Sequence, residues 1–241
     1  MTEAAIIYRW LIDGAEAAAY HPFDVHVLAC VLALGIAEAE TSGLPLSEST
    51  GLTSAALNDL MRPVFPQAVP VLERLGGSRP LRFPEDERSL RELLMRFVTQ
   101  QTPFGLRLAA LLARRAMRPN HLWQDLGLQN RGELSQLMGR HFTTLAARNV
   151  RDMKWKKFLY RMICRDEGFR LCTAPSCAEC NDFVVCFGDE SGESIFARNR
   201  RASELYENSS LTRDTSLTRN TIGVVDRATN GPQQQTAIVL A

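Results

Sequence analysis

Four cysteines, Cys172, Cys177, Cys180 and Cys186, stand at C-x4-C-x2-C-x5-C spacing in the segment LCTAPSCAECNDFVVCFG. Four thiols so close together leave the surrounding chain few options: they cross-link one another, or they close on a metal centre. Thiolates are soft donors, and gathering four of them around one centre needs short, turn-rich loops of the kind that Ala174-Pro175-Ser176 supplies. The segment therefore predicts a small metal-bound module rather than a continuous helix or strand.

A disulfide framework fits the rest of the chain poorly. Such frameworks belong to short secreted domains, whereas this chain has 241 residues, of which 45% are hydrophobic, enough for one substantial core. The amino terminus, MTEAAIIYRWLIDGAEAAAY, lacks the basic start, apolar centre and small-residue cleavage site of a signal peptide. The longest uncharged apolar run, Val25 to Ala37, is short for a membrane span and is interrupted by His26, so it reads as a buried helix. These features predict a cytoplasmic protein with no membrane partner, in a compartment where clustered thiols bind metal. A formal charge of +1, from 28 basic and 27 acidic residues, provides no overall field for nucleic acid. Charge is local: the only lysines, Lys154, Lys156 and Lys157, share one helical turn upstream of the cysteines.

The remainder reads as all-α. Residues 4–20 and 22–40 are rich in Ala, Leu and Val without strand-like alternation, and Gly43-Leu44-Pro45 marks a stop. A short helix is expected over 53–61, then short helical pieces and turns through the Pro- and Gly-rich stretch from Pro63 to Pro84. Amphipathic stripes predict helices over 85–100, 104–118, 131–149 and 152–167, the last capped by Asp152 and carrying Trp155, Phe158, Leu159, Met162 and Ile163 on one face. In this reading the lysines of that helix point outward. After Gly188 the chain is crowded with Ser, Thr, Arg, Asn and Gln and predicts disorder. The expected organisation is a helical domain over 1–150, a basic helix with the cysteine module over 151–188, and a disordered tail over 189–241.

Spacing alone leaves an iron-sulfur cluster and a structural zinc site as alternatives. A zinc ribbon calls for two C-x2-C pairs, whereas the C-x4-C-x2-C opening matches plant-type iron-sulfur proteins, whose fourth cysteine lies farther along. The flanks decide between them by resemblance. The run DMKWKKFLYRMICRDEGFRLCTAPSCAECNDFVVCFG, with HLWQDLGL at 121–128 and ELSQLMGRHF at 133–142, resembles the NifQ family of nitrogenase molybdenum-handling proteins, and the resemblance ends near Gly188. What the resemblance implies is a carrier, not an enzyme. An iron-sulfur cluster containing molybdenum would be held by Cys172, Cys177, Cys180 and Cys186. The implied partners are the cofactor assembly scaffold and the nitrogenase iron protein, with molybdate or another molybdenum source upstream.

Other residues carry weaker signals. Molybdenum in a high oxidation state accepts oxygen or nitrogen donors, so Glu179, Asp182, His121 and His141 are candidate additional ligands, although acids in such a loop are usually solvated. His21 and His26 read as cap or core residues, and Cys30 and Cys164 as small buried hydrophobes, with Cys164 a reserve ligand. The lysine turn reads as a docking or molybdate-attracting patch, or as a solvated face. No phosphate-binding glycine loop, GxSxG or HExxH occurs. The alternative function is an iron-sulfur or zinc-binding regulator in which DLGLQNRGELSQLMGRHF forms a DNA-reading helix-turn-helix; few basic residues support it.

Overall fold

The computed structural model describes residues 3–16, 20–77 and 80–166, with side chains as far as Ile163. The cysteine module and the tail expected to be disordered lie outside the described residues. The described residues all belong to one compact unit.

The secondary structure of the described residues is entirely helical: α1 (Glu3–Asp13), α2 (Pro22–Ser42), α3 (Leu46–Thr50), α4 (Ser54–Met61), a 3-10 turn (Pro66–Ala68), α5 (Val69–Gly76), α6 (Glu85–Phe97), α7 (Pro103–Ala116), α8 (Leu122–Asp125), α9 (Arg131–His141), α10 (Thr143–Ala146) and α11 (Trp155–Asp166). Two of these helices form the centre. Every residue of α2 from Val27 to Ile36 is buried, and so is every residue of α7 from Leu108 to Ala113. A helix that is apolar on all sides is either a membrane span or the middle of a core. α2 has the length and hydropathy of a span, but 72% of its most apolar window is buried against the rest of the fold. α1 lies along α2, α6 along α7, and α3 touches both α2 and α7.

The ends of α2 follow from local chemistry. His21 is its N-cap, its ring nitrogen accepting from the Phe23 N–H at 3.2 Å, and Pro22 takes the first helical position, where no N–H is needed. Gly43, with φ of 67°, closes the helix by donating to the Ala39 carbonyl at 2.9 Å. Thr53 caps α4 and Thr102 caps α7 in the same manner as His21.

Several expected boundaries shift. The first helix ends at Asp13, where Gly14 turns the chain and the Glu16 N–H is taken by the Val64 carbonyl at 2.9 Å. The helix expected over 131–149 is two, broken at Phe142. There the His141 carbonyl accepts from Thr99 N–H at 2.8 Å and Thr143 N–H donates to Thr99 Oγ1 at 2.9 Å, so a neighbouring segment takes over hydrogen bonds that a continuous helix would use. Asp152 does not cap α11: it has φ of 52°, its carboxylate pairs with Arg131 at 2.8 Å, and α11 begins three residues later. The short helix α3 was not expected at all.

α11 packs on α6, and Trp155, Phe158, Leu159, Met162 and Ile163 join the same core as α2 and α7. The expected stripe of that helix is therefore the buried one.

Two glycines with the same backbone conformation separate strain from crowding. Gly43 and Gly51 both have φ of 67°, but a Cβ at Gly43 would meet nothing within 4 Å, whereas one at Gly51 would strike the Arg91 guanidinium and come within 2.7 Å of Arg114 Cβ. Gly43→Ala should cost about 1 kcal/mol, the left-handed penalty alone, and Gly51→Ala about 2–4 kcal/mol because overpacking is added. Urea unfolding of the two variants side by side tests the difference.

Candidate functional site

Cys172, Cys177, Cys180 and Cys186, with Glu179 and Asp182, lie beyond the described residues, as does the side chain of Cys164. The part of the site that can be built is the frame leading to them. Its last element is α11, which ends six residues before Cys172.

The frame is organised by charged groups inside the core. Arg115 on α7 is only 1% exposed. Its Nη1 donates to both oxygens of Glu38 on α2 at 2.9 Å and to Ser49 Oγ on α3 at 3.0 Å, and its Nε donates to the Asp125 carbonyl on α8 at 2.6 Å. Arg118 adds a bond to Glu38 Oε2 at 2.8 Å. Burial tends to raise the Glu38 carboxyl, but hydrogen bonds and charge from Arg115, with Ser49 and Arg118, outweigh it and hold Glu38 below the usual carboxylate range. Glu38, Ser49 and Arg118 also line an open groove of about 540 Å³, together with Leu34 and Leu44.

The network continues into α11. Lys156 Nζ donates to Asp125 Oδ2 at 2.6 Å and to the Arg118 carbonyl, while Asn120 holds the other Asp125 oxygen at 3.1 Å. Burial lowers the Lys156 ammonium from its ordinary value, with Asp125 opposing. The outward orientation expected of all three lysines is thus wrong for Lys156. It stands beside the apolar stripe rather than opposite it, and a buried carboxylate receives it. Lys157 is exposed and Lys154 is half-buried.

Two more clusters tie the amino-terminal helices to α9. His26 accepts or donates through Nδ1 to Tyr8 Oη at 2.8 Å and through Nε2 to Glu133 Oε2 at 3.3 Å. Burial, helped by Cys30 and Glu133, pushes the Tyr8 hydroxyl up to about 12, so it stays protonated. Burial also raises the Cys30 thiol well above its usual range. As expected of a buried free cysteine, Cys30 is not a thiolate donor. Asp24, in the first turn of α2, binds His141 Nε2 at 2.7 Å and Arg140 Nε at 3.2 Å. Those bonds, with the attendant charge, overcome burial and hold Asp24 low; His26 and the Gln129 N–H do the same for Glu133.

The candidate histidine ligands both have partners within the fold. His141 is engaged by Asp24, and His121 is the N-cap of α8, with Gln124 Oε1 accepting its backbone N–H at 3.1 Å. Among the described residues no group of three or more His, Cys, Asp or Glu side chains is arranged to hold a metal ion. The would-be helix-turn-helix has a first helix of one turn, and its second, α9, buries Leu134, Leu137 and Met138 and commits Arg140 to Asp24.

Comparison with known proteins settles the family. A family model described as NifQ matches residues 27–188, a span that starts within α2 and contains all four clustered cysteines. The chain belongs to the NifQ family. The NifQ family is involved in nitrogenase molybdenum processing. A NifQ homolog of Sinorhizobium fredii is 41% identical over 172 residues, covering 71% of this chain and 75% of that protein. NifQ of Rhodobacter capsulatus is 39% identical over 166 residues, covering 68% and 89%, and NifQ of Azotobacter vinelandii is 37% identical over 143 residues, covering 59% and 69%. No solved structure matches the chain.

The buried NifQ frame that sequence reading missed is built on Asp24, Glu38 and Arg115, charges that stand in or beside runs of Ala, Leu and Val. Because Asp24, Glu38 and Glu133 are all depressed in the folded state, the unfolded chain takes up protons first as pH falls. Their stabilising contribution should be complete above the ordinary carboxylate range of about 4 and be lost as pH drops through the depressed values. Glu38→Gln should flatten that acid limb and lower stability at neutral pH by about 1–3 kcal/mol, by leaving Arg115 short of its acceptor. Urea midpoints measured from pH 7 down to pH 3 check both.

Proposed function

We propose that the protein is an iron-sulfur molybdenum carrier that delivers molybdenum for biosynthesis of the iron-molybdenum cofactor of nitrogenase. The observation that carries this reading is the placement of Cys172, Cys177, Cys180 and Cys186 inside the matched NifQ span. The donor set fits the group: four thiolates in a segment of fifteen residues are soft ligands suited to iron-sulfur chemistry, and molybdenum enters as cargo.

Four thiolates concentrate negative charge, which neighbouring cations offset by favouring the ionised thiol. Lys157 is exposed near the end of the frame, and Arg165 and Arg170 follow in sequence. Lys156 is not available for this, because Asp125 already neutralises it. The exposed Lys157 also suits docking on an acidic surface of the assembly scaffold or of the nitrogenase iron protein, the partners of the proposed transfer. The protein acts by holding and releasing metal rather than by turning over a substrate, in the reducing cytoplasm where thiols stay free.

The test is metal analysis with an absorption spectrum on protein made anaerobically in cells that express nitrogen-fixation genes and receive molybdate. Iron together with molybdenum, and a sulfur-to-iron charge-transfer band, is the expected result. Cys177→Ala should lose most of both metals. Stoichiometric zinc alone, or a Cys177→Ala variant with unchanged iron and molybdenum, would sink the carrier reading.

A further inference from the structure

α11 is held to the fold in two different ways. Its apolar stripe, Trp155, Phe158, Leu159, Met162 and Ile163, is buried in the core and supplies adhesion. Contacts among large aliphatic and aromatic side chains are not directional, and cores of this kind tolerate shifts in packing with little loss of stability. On the edge of the same helix, Lys156 makes two directional bonds, to Asp125 Oδ2 at 2.6 Å and to the Arg118 carbonyl. Both acceptors are fixed from behind. Asp125 is 2% exposed, bonded to Asn120 through its other carboxylate oxygen and to Arg115 through its carbonyl, and the Arg118 guanidinium is anchored on Glu38. A helix displaced along its axis by one turn, about 5.4 Å, keeps an apolar face against the core but carries Lys156 away from this seat.

We propose that Lys156 is a positioning residue, whose ammonium group, seated on Asp125 and the Arg118 carbonyl, sets the register of α11 and with it the point from which the chain enters the cysteine segment. The inference rests on the carrier reading of that segment. It assigns the buried pair a role in register rather than in net stability, the best-attested use of buried polar groups in helical packing. A carrier has particular need of it, because its four thiolates must be presented in one arrangement through both loading and release.

The test compares full-length wild type, Lys156→Met, and the double variant Lys156→Met/Asp125→Leu. The single variant strands a buried carboxylate and should lower the thermal midpoint. The double variant removes both charges and should restore the midpoint, since an apolar pair replaces a buried ion pair at no net loss. Amides of α11 should nonetheless exchange at least about tenfold faster in the double variant, the signature of a looser local state. After anaerobic loading, its retention of iron and molybdenum against a chelator should fall in parallel. Wild-type exchange rates in the double variant, or wild-type metal retention despite faster exchange, would overturn the proposal. Wild-type protein that loads neither iron nor molybdenum would instead overturn the carrier reading, while the exchange comparison still decides whether Lys156 sets α11. If the double variant fails to fold, Lys156→Met with Asp125→Asn, which removes both charges and the Lys156 bonds but keeps an acceptor for Asn120, carries the same comparison.

Discussion

A guanidinium group buried where α2, α3, α7 and α8 converge is the constraint around which the other helices are arranged. Arg115 sits in α7 after a run of buried Leu and Ala, and removing its charge from water is expensive unless every donor direction finds an acceptor. The acceptors come from three other elements: the carboxylate of Glu38 on α2, the hydroxyl of Ser49 on α3 and the carbonyl of Asp125 on α8. Any arrangement of the helices that failed to deliver all three would leave a buried charge unsatisfied. The pairing thus excludes competing packings of the same apolar faces more than it adds to stability.

That division explains which features were legible in the sequence. The long helices α2, α6, α7 and α11 are written in local periodicity, because apolar spacing and flanking Pro, Gly and Thr act over a few residues. α3 was not, since LSEST has the composition of a turn and is held helical by its neighbours: Thr50 bonds back to the Leu46 carbonyl, and Ser49 is fixed between Glu38 and Arg115. The break at Phe142 was equally hidden, because Thr99, which takes over the hydrogen bonds there, is more than forty residues away in the chain. Lys156 was read as solvent-facing for the same reason. Nothing within its own turn announces an acidic partner 31 positions earlier.

The candidate site divides along the same line. The four cysteines stand at a local spacing that suggests metal ligands, and the matched NifQ span includes them all, but they lie outside the described residues. The histidines were less legible. His141 and His121 sit in segments that resemble the family, yet one is a partner of Asp24 and the other a helix cap. A histidine in a family motif is as readily explained by the fold as by a ligand sphere, and only its partners distinguish the two.

The polar groups of the frame also form a continuous chain: Glu38 to Arg115 and Arg118, these to the Asp125 backbone and Lys156, and Lys156 to the helix that precedes the cysteines. Each link is made to a group already anchored by another, so that rotation at one end is opposed by bonds at the next. Apolar packing alone would allow α11 to settle in several near-equivalent positions, since Leu, Met, Ile and Phe can exchange places against a helical surface at small cost. Directional bonds remove that degeneracy. The network of bonds therefore holds α11, the last described element before the cysteine segment, in one position on the fold.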